Sequence, residues 1–268
     1  MAGADKEFVG SIPETYDRLM VPMIFAPYAA DIARRLSALK PKRILEVAAG
    51  TGVVTRAVAD ALSQVDIVAT DLNQPMIDHA KSRQSGGKVE WRTADALALP
   101  FPDESFDAVV CQFGAMFFPD KVRGYSEARR VLRNRGPYIF NVWDKIEANE
   151  FADVILKALA DVFPNDPPRF MQRTPHGHHD GEVIRADLKN AGFTDVSIEP
   201  LEAISRAPSA KSAVTAYCQG SPWKLEIEAR GAPGLEAAMA KATEALTKRF
   251  GAGPIEGRIR AYVITART

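Results

Sequence analysis

The sequence predicts an α/β protein, a mostly parallel sheet covered on both faces by helices, and three observations carry that expectation. Residues 44–52, Ile-Leu-Glu-Val-Ala-Ala-Gly-Thr-Gly, run from an apolar strand through a carboxylate into a small-residue turn. Val53, Val54, Ala57, Val58, Ala61 and Leu62 then recur at helical spacing. Further short apolar runs follow, separated by helix-length segments, and that alternation gives a parallel sheet. At 268 residues and 46% hydrophobic, the chain has enough material for a full core.

The elements follow in order. The first strand ends on Glu46, and glycine suits the loop after it because the backbone can approach a ligand with no Cβ in the way. Residues 65–71 form a second strand ending on Asp71. Asn73 stands where it can cap the next helix, with Pro75 in the first turn, where a missing N–H costs little. Residues 89–95 repeat the pattern and end on Asp95. Phe106 to Cys111 is a fourth strand, entered through a turn-rich stretch over 100–105. A helix spans 121–132, and Tyr138 to Trp143 is a fifth strand behind the Gly136-Pro137 turn.

After Asp144 the alternation slackens. The pattern predicts a helix over 149–163, a proline- and histidine-rich loop over 164–181, and a helix capped by Asp180 that ends near Gly192. Strands follow at 195–204 and 258–266; the insert between them holds helices at about 209–219 and 235–250, with Pro222 and Trp223 in the connection. No internal repeat or low-complexity linker divides the chain. The expectation is one domain over 1–268, with an N-terminal helical lid over 1–40 and a core over 41–144. The C-terminal half, 145–268, carries a helical insert at about 206–254.

Composition removes several function classes. Lys+Arg and Asp+Glu are both 34, so the net charge is zero, whereas nucleic-acid binding depends on neutralising phosphates. No apolar stretch approaches the roughly 18 residues of a membrane span, and a signal-peptide pattern is missing, so the expected location is cytoplasmic. Cys111 and Cys218 are the only cysteines and lie far apart, which supports neither a disulfide framework nor a cysteine zinc site.

Four motifs in order carry a resemblance. They are Leu45-Glu46-Val47-Ala48-Ala49-Gly50-Thr51-Gly52; Asp71-Leu72-Asn73-Gln74-Pro75-Met76; Ala94-Asp95 through Phe101; and Phe106-Asp107 through Gly114. In this order and spacing the chain resembles the class I S-adenosylmethionine-dependent methyltransferases, and within them the ubiquinone and menaquinone biosynthesis group. The resemblance covers residues 42–143 well and the last third loosely. It implies a Rossmann-like, doubly wound, seven-stranded, mostly parallel sheet with an antiparallel last strand.

The resemblance also implies S-adenosylmethionine as cofactor and a role for each motif residue. Glu46, Ala48, Gly50 and Gly52 would hold the methionine end, since backbone N–H groups suit its carboxylate. Asp71 would accept from both ribose hydroxyls, because an ionised carboxylate has two oxygens that only accept. Leu72 belongs to the same cofactor set, and Met76 would cover the adenine face. Asp95 would take the adenine amino group with the Ala96 N–H nearby, and Gln112 and Phe113 would line the reacting end. The family's first loop glycine is replaced here by Ala48, and binding is expected to survive if its φ stays negative.

Tyr16, Tyr28, Phe117, Trp143, His178 and His179 are the candidates for lining the acceptor pocket. His176, His178, His179 and Asp180 have loop-like spacing with no nearby Cys or Glu, so no metal site is expected. The expected reaction is in-line transfer of a methyl group to a small, partly apolar acceptor. No general acid is required, because the thioether leaves neutral. No general base stands out, and no single side chain outside the cofactor site is expected to be indispensable. Two alternatives remain at this point. One is a nicotinamide-dependent oxidoreductase, against which the missing third glycine of Gly50-x-Gly52-x-x-Thr55 argues. The other is a cofactor-binding protein without catalysis. A homodimer contact through the C-terminal insert is a further expectation.

Overall fold

Seven strands build the sheet of the computed structural model, which describes residues 4–6, 8, 10–84, 86 and 88–268. They are β1 (Arg43–Val47), β2 (Asp66–Asp71), β3 (Lys88–Thr93), β4 (Ala108–Gln112), β5 (Tyr138–Trp143), β6 (Asp195–Ala207) and β7 (Ile255–Arg267), in the order β3-β2-β1-β4-β5-β7-β6. β1 to β5 pair in parallel and β7 is antiparallel, as the resemblance implies. β1 pairs with both β2 and β4, Glu46 lying opposite Ala69 on one side and Val110 on the other. The strand order reverses there, so the loops after β1 and β4 diverge and leave a crevice at their carboxyl ends.

The helices are α1 (Ile12–Thr15), α2 (Ala26–Leu39), α3 (Val53–Ala61), α4 (Gln74–Arg83), α5 (Lys121–Val131), α6 (Glu150–Val162), α7 (Phe170–Arg173), α8 (Gly181–Asn190), α9 (Ala210–Gln219), α10 (Trp223–Glu228) and α11 (Gly234–Phe250). A ten-residue π-helix, Tyr16–Phe25, joins α1 to α2 and contains Pro22, which cannot donate to a helical ladder. Side-chain caps start several helices. Asp120 accepts from the Arg123 N–H, Asp180 from those of Glu182 and Val183, and Ser209 from that of Ser212.

The chain packs as two compact units. The larger comprises Ala26–Val142, His178–Leu201 and Ala261–Thr268, and contains β1 to β4 with α2 to α5 and α8. On one face of its sheet Ile44, Ile67, Val110 and Ile139 meet Ile32 and Leu36 of α2 and Val54 and Val58 of α3. Each such fully buried aliphatic side chain contributes about 1.5–3 kcal/mol. On the opposite face, Tyr138 and Phe140 stack at 4.8 Å, and Tyr125 of α5 lies 5.3 Å from Phe140. Alternation along β5 thus sends Tyr138 and Phe140 to one helix layer and Ile139 to the other.

The other unit comprises Met1–Phe25, Trp143–Gly177 and Glu202–Arg260. Here α11 packs on α6 and α9, and the π-helix packs on α9. Asn149 ties the start of α6 to β7, its Nδ2 donating to the Arg260 carbonyl while its Oδ1 accepts from the Arg260 N–H. Arg173 grips both oxygens of Asp5, which is buried, at 2.6 and 3.0 Å.

Four local expectations change. β4 begins at Ala108, with Phe106 in an isolated bridge to Leu132. β3 ends at Thr93, leaving Asp95 in the following turn. Trp223 begins the six-residue helix α10, too short to show a helical period in sequence. Asn73 holds the N-cap position of α4, yet its side chain makes no cap bond and instead donates to Asp71.

Candidate functional site

Within the larger unit, the site grows from the ends of β1, β2 and β4. The β1 end is tight: the Ala49 N–H returns to the Thr70 carbonyl at 2.8 Å, and the Gly52 N–H to the Ala49 carbonyl at 2.9 Å. Ala48, Gly50 and Gly52 all turn left-handed, at φ +55°, +57° and +81°. The negative φ expected at Ala48 is therefore corrected. Its Cβ is accommodated because the facing residue is Gly114, where an added Cβ would stand 2.4 Å away. Phe113, just past β4, is left-handed as well, φ +52°, and its N–H donates to the Asn141 carbonyl at 3.2 Å.

Glu46 is 2% exposed and accepts a short hydrogen bond from Thr55 Oγ1, one turn into α3. Burial pushes its carboxyl up to about 8 against the opposing effects of Thr55 and Arg56, and the nearby Asp71 pushes the same way. The two carboxylates thus feel each other across the loop. Asp71 is also buried, and desolvation raises its pKa while neighbouring N–H groups lower it. Its Oδ2 accepts from the Gly50 N–H at 2.9 Å; its Oδ1 accepts from the Asn73 N–H at 2.8 Å and from Asn73 Nδ2 at 3.3 Å. Asp71 therefore locks the β1 loop to the β2 turn.

The remaining cofactor candidates lie around these two. Leu72 is 51% exposed beside Asp71, whereas Met76 is buried in the first turn of α4. The Ala94 N–H donates to the Asp71 carbonyl, which draws the β3 turn toward β2. In that turn Asp95 is exposed and its Oδ1 accepts from the Leu97 N–H, with Ala96 half-buried between them. Gln112 is nearly buried at the end of β4 and pairs in register with Asn141 of β5.

Acceptor-lining candidates separate between the units. In the larger one, Tyr28 is fully buried, edge-on to Phe113 at 5.2 Å, and its hydroxyl donates to the Leu201 carbonyl. His178 shares a 3.0 Å hydrogen bond between its Nε2 and the Tyr125 hydroxyl, and burial depresses its pKa to about 4. Phe117 and His179 are half-buried. In the other unit, Tyr16 stacks on Phe25 at 5.0 Å, and Phe25 lies 5.9 Å from Trp143. His176 donates from Nδ1 to the Asp144 carbonyl at 2.7 Å, close to the Trp143 ring.

The sequence reading missed Thr55, Asn73 as a donor, and Asn141. Thr55 had a usable signal, since it stands three residues past Gly52 on the helix that Glu46 faces. Among the described residues no group of three or more His, Cys, Asp or Glu is arranged to hold a metal ion. Among the described residues no helix is long and apolar enough to cross a membrane.

Comparison with known proteins places this site in context. Residues 44–136 match the family model described as "Methyltransferase domain". A demethylmenaquinone methyltransferase of Clavibacter sepedonicus is 32% identical, over 63% of this chain and 73% of that protein. One from Deinococcus radiodurans is 36% identical over 50% of this chain and 57% of its own length, and one from Thermus thermophilus 41% identical over 36% and 44%. The chain thus spans about half the length of these last two relatives. Among solved structures, the YcgJ protein of Bacillus subtilis superposes with a TM-score of 0.56 at 16% identity, covering 90% of this chain and 99% of that one. The cyclase SpnF superposes equally well, with a TM-score of 0.56 at 18% identity over 90% and 80% of the two chains.

Proposed function

Because the chain belongs to the class I S-adenosylmethionine-dependent methyltransferase family, we propose that it transfers a methyl group from S-adenosylmethionine to a small, partly apolar, quinone-like molecule. The observation that carries this reading is the pair of buried strand-tip carboxyl groups, Glu46 and Asp71, at a left-handed loop whose Gly50 N–H donates to Asp71.

The residues present fit that cofactor. A carboxylate offers about four lone-pair sites, and Gly50 and Asn73 engage Asp71 through three donors, which leaves capacity for a ribose hydroxyl. Exposed Leu72 offers an apolar face for adenine, and Asp95 with the Ala96 N–H suits its amino edge. Glu46, pushed up to about 8 by burial, resists ionisation on its own, and a cationic ammonium group beside it would favour its charged form. Ala48, Gly50 and Gly52 would let the backbone approach a carboxylate, and Gln112 and Phe113, at the end of β4, would line the reacting end.

When bound, the cofactor supplies a methyl group on an electrophilic sulfonium. The protein's own part is alignment and exclusion of water, and alignment is worth up to about 7–11 kcal/mol. His178 is tied to Tyr125 and stays neutral well below pH 7, so proton handling is not asked of it. Replacement of His179 by Ala should leave most turnover intact.

The quinone-like acceptor rests on the names of the relatives and on the apolar residues near the strand ends. A small molecule rather than a nucleic acid, a cytoplasmic location and a homodimer formed through the insert belong to the same proposal. The test is transfer of a labelled methyl group to a panel of demethylated naphthoquinols, benzoquinols, catechols and amines. Turnover with quinols is expected. Turnover with amines alone would overturn the acceptor class, and binding of S-adenosylmethionine with no acceptor anywhere in the panel would favour the non-catalytic alternative.

A further inference from the structure

In the unit that carries the insert, the π-helix, the end of β6, the start of α9 and Pro254 enclose a groove of about 490 Å3. That volume lies within the range of small-molecule sites. The walls are apolar and stiff: buried Met23 contributes to them together with Pro22, Pro208 and Pro254, whose rings fix φ. A groove shaped in advance loses little entropy on binding.

Charge on this groove has one sign. Arg18 and Arg206 line it and no acidic residue does. Arg18 forms no ion pair with a described residue. Arg206 donates from Nε to Glu256 at 2.7 Å, but the two side chains are 66% and 62% exposed, so the pair is weak and the outer guanidinium donors remain available. Ser212 brings the first turn of the ten-residue helix α9 to the same wall, adding the positive end of its dipole.

We propose that this groove binds a small amphipathic anion. Its apolar body lies against Met23 and the three prolines, and its carboxylate or phosphate head is held in the forked donors of Arg18 and Arg206. Its lining residues belong to a different compact unit from Glu46 and Asp71, and its test does not involve methyl transfer. A neutral apolar ligand would leave both guanidinium groups unanswered. A flat membrane surface would not reach a concave wall.

Calorimetry of the full chain with decanoate, decyl phosphate and decanol tests this. The expected result is saturable binding of at least one anion, at least tenfold tighter than decanol. The better of the two anions identifies the head group. The R18A/R206A double variant should bind it at least tenfold more weakly, with an unchanged circular-dichroism melt, since both arginines are exposed. Four results would overturn the proposal: decanol binding as well as the anions, no saturable binding by any of the three, undiminished binding in the double variant, or capture on phosphatidylglycerol vesicles without binding of either free anion.

Discussion

At Ala48 the backbone adopts a left-handed conformation, φ +55°, that an L side chain with a Cβ rarely adopts. Strain of this kind costs about 1–3 kcal/mol and persists where the surroundings over-determine it. Here the Ala49–Thr70 hydrogen bond and the bare Gly114 do so. Ala48→Gly should therefore raise stability by about 1 kcal/mol, an increase in melting temperature of about 2–4 °C for a chain of this size. A lower melting temperature would show that φ is not strained. Glu46 makes a second residue-scale prediction. Its carboxyl sits at about 8 in the folded protein against 4.5 ordinarily, so folding takes up a proton between those values. Its contribution is fully present below pH 4.5 and is lost as pH rises through 8. Denaturant titrations should show wild type losing a few kcal/mol relative to Glu46→Gln across that window. Parallel pH profiles would contradict it.

Elements differed in how well they could be read. β5 was legible to the residue because the Gly136-Pro137 turn fixes its start and every residue from Tyr138 to Trp143 is apolar or buried. Asp180 was legible as the cap of α8 because cap chemistry acts over three residues, and Asp120 and Ser209 start α5 and α9 in the same way. Asn73 was misread because its choice between capping α4 and donating to Asp71 depends on a neighbouring strand tip. The π-helix was read only as helical, since apolar spacing does not separate its ladder from an α-helical one. One contact between elements carries its own prediction. His178 is held neutral against Tyr125 of α5, with a pKa of about 4 against 6.5 ordinarily. A depressed histidine contributes stability above 6.5 that is lost as pH falls toward 4. His178→Asn should flatten the acid limb of the stability profile by about 2 kcal/mol. An unchanged limb would mean that the histidine titrates freely in the folded state.

For the whole molecule, architecture narrows function without fixing it. A cyclase shares this fold with the methyltransferases, so the reaction must be argued from side chains. The family was legible because each motif that carries it lies within a few residues of a strand end. The acceptor candidates carry no such local signature: Tyr16 and Trp143 belong to one compact unit and Tyr28, Phe117, His178 and His179 to the other, and sequence spacing does not record that membership. The most direct measurement is isothermal titration of wild type and Asp71→Asn with S-adenosylmethionine, its demethylated product and NAD. Wild type should bind the first two and not NAD, and the variant should bind at least tenfold more weakly, a loss of about 1.4 kcal/mol or more. Undiminished binding by the variant, or binding of NAD in preference, would contradict the assignment.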